Sequence, residues 1–183
     1  MARLVGGIDS ALNDLMSRHG PKLFNYLLRC LQNEEDAADL AQETFVRVFQ
    51  HRQKFDRRQK FSTWLYTIAT NLVRTRYRFR TRHPESSLET LTDSGVINLA
   101  DRASEQSDNP SESLQAAERQ QTVRRAVAQL PEELRTALIL SEYEELSHAE
   151  IGTVLHCSAK AVELRLYRAR QQLRVKLAGL LSK

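Results

Sequence analysis

The apolar residues of this chain recur every three to four positions almost from end to end, and this period limits its fold more than any other feature. Residues three and four apart share one face of an α-helix, whereas a half-buried strand needs strict alternation of apolar and polar residues. The sequence shows no convincing pattern of alternating segments bounded by turns. We therefore predict an all-α fold with two small helical domains joined by a flexible acidic linker.

Four helices are predicted in the first half of the chain. Gly20 and Pro21 separate the first two, because glycine can end a helix in the left-handed conformation and proline is suited to begin one. Asn33 caps the third, whose acidic first turn suits the helix dipole. The predicted ranges are about 8–18, 21–32, 34–53 and 61–80.

Residues 83–113 are predicted to form the linker, because they are rich in Ser, Asp, Glu and Pro and have no sustained apolar face. Their single apolar patch, "GVINLA" at 95–100, could be a short helix or a docking element. The predicted domains are therefore 1–82 and 114–183.

The charges of the chain are unevenly distributed. The net charge is +4, but residues 47–82 hold eleven Lys or Arg and one acid, Asp56, whereas residues 85–118 hold eight acids and one base, Arg102. Beyond Ser158 the balance is basic again. One basic block alone would be read as a solvated face, but two blocks predict two surfaces that bind a polyanion.

The second domain has the pattern of a helix-turn-helix. "SHAE" at 147–150 is a capping box at the start of a short helix, and "LHCS" forms a turn before a long amphipathic helix. A stripe from Val162 to Leu177 is expected to be buried, which leaves an opposite face suited to base edges in the major groove. That face comprises Lys160, Glu163, Leu164, Tyr167 and Arg168, and Arg165 flanks it for phosphate contacts. An ordinary helical hairpin is the alternative.

The segment "NLVRTRYRFRTRH" at 71–83 has an arginine at every second position, as a strand with one charged face would. It follows a helical pattern, however, and on a helix one stripe runs from an aromatic through an amide to arginines. Aromatics stack on unpaired bases and guanidinium groups hold phosphates, so the stripe predicts binding of single-stranded nucleic acid. Its members are Trp64, Thr67, Asn71, Arg74 and Arg78. Trp64 could instead belong to the core.

The third predicted helix carries an acidic face formed by Asp36, Asp39 and Glu43. Negative charge beside a basic DNA-binding surface is poorly suited to touch DNA. We therefore predict that this face docks onto a protein.

Several other classes are disfavoured. The two cysteines, far apart, are read as small buried residues in a reducing compartment, and no His, Cys or carboxylate cluster has the spacing of a metal or catalytic site. The N-terminus lacks the apolar run of a signal peptide, and no stretch has transmembrane length. We expect a cytoplasmic protein without membrane insertion, catalytic residues, metal or cofactor. A duplex-binding regulator that acts without polymerase is the second interpretation, and a nuclease is a distant third.

Three segments together resemble a bacterial RNA polymerase sigma factor of the extracytoplasmic-function type, in the sigma-70 family. They are "EDAADLAQETFVRVFQ", "KFSTWLYTIATN" with its basic tail, and "LPEELRTALILSEYEELSHAEIGTVLHCSAKAVELRLYRARQQLR". The resemblance covers most of residues 20–82 and 114–178, in the order of the family.

The resemblance implies a role for each segment. The acidic helix would bind the β′ clamp helices of core polymerase through Asp36, Asp39, Gln42 and Glu43. The next loop and helix would recognise and melt the −10 promoter element through Phe55, Arg57, Arg58, Lys60, Trp64, Asn71, Arg74 and Arg78. The last module would read the −35 element as duplex and contact the β flap. An anti-sigma factor is the implied inhibitor.

The chain departs from the family pattern in three places: position 75, the start of the recognition helix and the turn before it. Thr75 stands where an acid is common, and Glu163 and Leu164 stand where a base and a serine are common. The turn "LHCS" lacks the usual glycine, so His156 or Cys157 is expected to take a positive φ.

Overall fold

The computed structural model describes residues 1–83 and 110–178, and within these ranges every regular element is a helix. The all-α prediction is confirmed. The patch at 95–100 lies outside the described residues. The elements are α1 (Ala2–Val5), α2 (Ala11–Leu31), α3 (Glu34–Gln50), a 3₁₀ turn (Arg52–Lys54), α4 (Phe61–Arg82), α5 (Pro110–Ala128), α6 (Glu132–Glu142), α7 (His148–Leu155) and α8 (Ala159–Lys176).

The predicted break at Gly20 and Pro21 is wrong, because α2 runs through both residues. Pro21 is exposed, so the backbone hydrogen bond that it cannot donate is lost on the side of the helix that faces water. Gly20 has no Cβ to clash with the proline ring, which relaxes the usual restriction on the preceding residue. The buried Leu15 and Leu23 lie on either side of this point and hold one continuous helix against the core.

The other N-terminal helix boundaries follow their sequence signals closely. The Asn33 side chain accepts a hydrogen bond from the Asp36 amide at 2.7 Å and caps α3. The third helix ends at Gln50 rather than at 53, and a 3₁₀ turn over Arg52–Lys54 follows it. The fourth extends two residues beyond its predicted end, to Arg82.

The helix-turn-helix is formed by α7 and α8. Ser147 and Glu150 make the predicted capping box, and of the two residues expected to take a positive φ, His156 or Cys157, it is His156 that does so, at 55°. Gly152 is required by the tightness of the turn, because a Cβ at this position would lie 2.7 Å from the carbonyl oxygen of Cys157. Of the predicted buried stripe, Val162, Leu166 and Ala169 are buried; Leu173 and Leu177 are half-buried.

The N-terminal module, residues 1–83, packs directly on the C-terminal module, residues 110–178. Helix α4 contacts α7, and α2 contacts α6, so buried residues of both modules form one continuous hydrophobic core. Within the described residues, none of the helices is both long and apolar enough to cross a membrane.

Candidate nucleic-acid interface

The alternating arginines of α4 divide between two faces of the helix. Successive helical residues differ by about 100° in direction, so residues two apart point to nearly opposite sides and residues four apart share a side. Arg76 and Arg80 point to α3, where both form salt bridges with Asp36, at 2.9 Å for Arg76. Arg78 and Arg82 are exposed. The alternation therefore supplies one structural pair and one outward pair, and the fifth arginine, Arg74, contacts α7.

Asp36, a member of the predicted polymerase-binding set, is buried, and its carboxylate forms salt bridges with two arginines of α4. Only 9% of the residue is exposed, and the two arginines occupy its side-chain oxygens. Asp39 and Gln42 are exposed on the same helix. Glu43 is half-exposed and binds Arg47 at 2.7 Å. The accessible part of the acidic face therefore consists of Asp39, Gln42 and Glu43.

A cluster of aromatic rings stands where α4 begins. Phe55 lies 5.2 Å from Trp64 and 6.3 Å from Phe61, measured between ring centroids. His19 of α2 meets the Phe61 ring edge-on at 4.9 Å. Partial burial of His19 and the nearby Arg18 and Lys22 lower its pKa, which favours the neutral ring. The cluster is half-buried, so it can combine packing with a face for a base.

Sequence reasoning found Phe55 and Trp64 but missed Phe61 and His19. Phe61 could have been included, since it is the first residue of the helix that carries Trp64. His19 is distant in sequence, and its place beside the cluster follows only from the packing of α2 on α4.

The remaining residues predicted to bind the −10 element differ in whether their side chains are exposed or already bound to other residues of the protein. Arg57, Arg58 and Asn71 are exposed. Lys60 forms a salt bridge with Glu150 of α7 at 2.8 Å, and Arg74 donates a hydrogen bond to the backbone oxygen of Leu155 at 3.2 Å. The hydrogen bond with Lys60, together with those from Ser147, lowers the pKa of Glu150 to about 2.

The predicted reading face of α8 is exposed in full. Lys160, Glu163, Leu164, Tyr167 and Arg168 all point away from the core, as the buried stripe requires. The side chains of Lys160, Glu163 and Arg168 form no ion pair or hydrogen bond with any other residue that the structure describes.

Two arginines beside the reading face form salt bridges with acids of the same module. Arg165 is bound to Glu133 at 2.9 Å and donates to the Cys157 sulfur at 3.4 Å. Arg170 binds Glu142 at 2.7 Å. Arg170 is therefore not paired with Glu163, and within the described part of the chain the carboxylate of Glu163 is left for an external donor.

These features define an all-helical DNA-binding protein with a helix-turn-helix and a second basic surface that carries aromatic rings. The sigma-70 region 2 family model matches residues 15–83, and the sigma-70 region 4 model matches residues 120–173. The chain is 33% identical over 179 residues to the RNA polymerase sigma-H factor of Pseudomonas aeruginosa, which covers 98% of this chain and 92% of that protein. It is 34% identical over 176 residues to the ECF RNA polymerase sigma factor SigW of Bacillus subtilis, with 95% and 92% covered.

A solved structure shares the fold. The sigma factor RpoE from Bartonella quintana, crystallised with the anti-sigma factor NepR, superposes with a TM-score of 0.72 at 22% identity, over 91% of this chain and 96% of that chain. The chain belongs to the extracytoplasmic-function group of the sigma-70 family of RNA polymerase sigma factors. Its function is therefore that of a sigma factor, which directs RNA polymerase to promoters.

Proposed function

We propose that this sigma factor divides its work among three surfaces: an acidic face for polymerase, an aromatic and basic face for the melted −10 element, and a recognition helix for the −35 duplex. The observation that carries the proposal is the match of both family modules, in the family's order, to the parts of the chain that hold these surfaces.

The polymerase-binding surface is assigned to Asp39, Gln42 and Glu43 of α3. Asp39 and Gln42 are exposed and Glu43 is half-exposed. The two carboxylates suit a basic partner, and the family implies the β′ clamp helices. Asp36 contributes mainly by orienting α3 against α4, because Arg76 and Arg80 occupy its carboxylate. The C-terminal module contacts the β flap in the same family-based assignment.

The −10 surface is assigned to the loop before α4 and the outward stripe of that helix. An unpaired base stacks beside the ring cluster of Phe55 and Trp64, and the exposed Asn71 amide reads its edge. The basic side chains neutralise the strand's phosphates. They are Arg57, Arg58, Lys60, Arg74 and Arg78.

The −35 surface is assigned to the exposed face of α8. Lysine and arginine donate to guanine and glutamate accepts from the cytosine amino group, so Lys160, Glu163 and Arg168 carry the hydrogen-bonding capacity. Leu164 and Tyr167 supply apolar contact. Arg165 positions the helix from within the module through Glu133.

Regulation and location are assigned from the family. The RpoE fold neighbour was solved with an anti-sigma factor, and we propose that this chain also has an anti-sigma partner. We place its action in the cytoplasm, where polymerase and promoter meet, and assign it no catalytic chemistry of its own.

The polymerase assignment is tested by reversing the charge of its exposed acids. Asp39→Arg with Glu43→Arg should weaken binding to core RNA polymerase by at least about tenfold, since like charges would face each other across the contact. Affinity is measured by fluorescence titration of labelled protein with core enzyme.

The matched control is Asp9→Arg with Asp14→Arg, which changes the net charge equally at two exposed N-terminal positions before the family match begins. If both double variants bind polymerase as tightly as the wild type, the assignment of the α3 face is wrong. Equal weakening of both would attribute the effect to net charge alone.

A further inference from the structure

His19 lies at the edge of the aromatic cluster, and none of the roles assigned so far uses it. Its ring meets the Phe61 ring edge-to-face, with 4.9 Å between the centroids, and Phe61 lies 6.3 Å from both Phe55 and Trp64. His19 is half-buried, so part of the imidazole packs on the cluster and part is open to solvent. It therefore adjoins the rings that we assign to an unpaired base.

The ring nitrogens of His19 are available to a ligand. Neither forms a hydrogen bond or ion pair with any residue that the structure describes. Partial burial, followed by the charges of Arg18, Lys22 and the N-terminus, lowers the pKa of the imidazole, which favours the neutral ring at neutral pH. A neutral imidazole carries one N–H donor and one acceptor nitrogen. A base that is out of the stack is read through hydrogen bonds to its edge, so such a ring can select among bases.

Two cationic side chains flank His19 on α2. Arg18 and Lys22 are both exposed, and neither forms an ion pair or hydrogen bond with another residue in the described ranges. Cations beside an aromatic surface attract the phosphates of a single strand. A strand that leaves the ring cluster is therefore drawn across this turn of α2.

His19 and Asn71 are too far apart to read the same base. His19 touches Phe61, the first residue of α4, whereas Asn71 lies much further along the same helix. That stretch of helix is roughly 15 Å long, and bases stacked along one strand follow each other at about 3.4 Å. The two side chains therefore address different nucleotides.

We propose that His19 is a second base-reading residue of the −10 surface: its imidazole hydrogen-bonds the edge of a nucleotide different from the one that Asn71 reads, while Arg18 and Lys22 hold the neighbouring phosphates. The inference rests on the proposed −10 role of the ring cluster. It extends the single-strand surface from α4 onto α2, a helix for which the sequence analysis predicted no DNA contact. The alternative is that His19 only packs on Phe61.

The experiment uses holoenzyme assembled from core RNA polymerase and the full-length protein. The probe is a library of promoter duplexes of otherwise fixed sequence, in which the −10 segment is unpaired and randomised on the non-template strand. Bound molecules are sequenced to give a base preference at each unpaired position.

His19→Phe is the decisive variant, because it keeps a ring against Phe61 and removes both nitrogens. The matched control is His51→Phe, the same substitution at an exposed histidine that has no ring contact with the cluster in the described structure. Thermal unfolding of each free variant checks that the fold is kept.

We expect the wild type to prefer particular bases at no fewer than two unpaired positions. His19→Phe should reduce the preference at one of them by about three- to tenfold, the factor that one hydrogen bond contributes, and leave the others unchanged. Asn71→Ala should reduce the preference at a different position. His51→Phe should reproduce the wild-type profile.

Arg18 and Lys22 provide an independent measurement. Arg18→Ala with Lys22→Ala should lower the affinity for every sequence in the library alike, and should reduce the salt dependence of binding by about two phosphate contacts. An unchanged salt dependence would overturn the path of the strand across α2, and with it the role of His19.

The inference is overturned if His19→Phe keeps the wild-type profile, because packing on Phe61 would then be the only role of the ring. It is also overturned if His19→Phe and Asn71→Ala lose preference at the same position, or if His51→Phe loses as much as His19→Phe. Failure of the −10 assignment itself looks different: neither Asn71→Ala nor Phe55→Ala would then change the preference at any unpaired position.

Discussion

The two helices that we propose to bind DNA differ in how their charged side chains are paired within the protein. On α4, Arg76 and Arg80 hold Asp36, and Arg74 holds the end of α7. On α8, the side chains of Lys160 and Arg168 have no such partner among the described residues. Both helices are basic in sequence, but only α8 keeps its reading face wholly outside the fold.

The difference means that the two helices should respond differently to substitution. A change on α4 alters stability, the arrangement of the modules and DNA binding together. A change at Lys160, Glu163 or Arg168 on the outer face of α8 should alter DNA binding alone, because these exposed side chains form no ion pair or hydrogen bond with another described residue. Charge counted along a sequence therefore overestimates the charge that a helix can offer to DNA.

The largest loss of −35 duplex affinity is expected from a substitution at Gly152, because the backbone of this turn sets the position of α8. Gly152→Ala places a Cβ 2.7 Å from the Cys157 oxygen, so the turn between α7 and α8 must shift. We expect the shift to lower the free energy of unfolding of the C-terminal module by about 1–3 kcal/mol. The shift misaligns every α8 contact at once, and we expect −35 duplex affinity to fall further than for any single side-chain loss. Thermal unfolding and duplex titration measure the two effects. Thr153→Ala, at the exposed neighbouring position, should leave both unchanged; wild-type affinity in Gly152→Ala would contradict the account.

An effect of intermediate size is expected from substituting arginines of α4. Arg76→Ala removes one of the two partners of Asp36 and should cost about 1 kcal/mol, near the low end for a buried group that loses a hydrogen bond, because Arg80 remains. Arg78→Ala should leave stability within about 0.5 kcal/mol and instead reduce the salt dependence of single-strand binding by about one phosphate contact. Unfolding curves of both variants measure the stability, and salt titrations measure the salt dependence of single-strand binding. Equal stability losses would erase the distinction between inward and outward arginines.

The smallest effect on overall affinity, and the most specific, is expected at Glu163. Glu163→Lys should raise non-specific affinity, because a negative charge is replaced by a positive one. It should also shift the preferred base at one −35 position away from cytosine, since a carboxylate contact to the cytosine amino group discriminates by about 1–3 kcal/mol. Selection from a randomised −35 duplex library measures the preference. Gln172→Lys, exposed further along α8, adds charge as a control; unchanged preference at every position in Glu163→Lys would show that Glu163 reads nothing.

The sequence predicted those features that depend on local signals. Asn33, the Ser147–Glu150 box and the positive φ in the turn are all set by neighbouring residues. The two caps were predicted correctly, and the positive φ, predicted at His156 or Cys157, lies at His156. The exposed face of α8 followed from the spacing of its buried stripe.

Features that depend on tertiary packing were not predictable in this way. The continuity of α2 through Pro21 depends on core contacts on both sides of it, and the partners of Asp36 lie on a helix 40 residues later. The contact of Tyr66 with Glu144 joins residues 78 positions apart, and no local pattern marks either as part of an interface between modules.

The pairing of Asp36 with Arg76 and Arg80 has a mechanical consequence. It joins α3, the helix assigned to polymerase, to α4, the helix assigned to the melted strand. The two salt bridges come from arginines one helical turn apart and hold the helices as one rigid unit. If polymerase displaces α3, α4 should therefore move with it. The position of the unpaired base relative to the polymerase would then be set by the geometry of this joint.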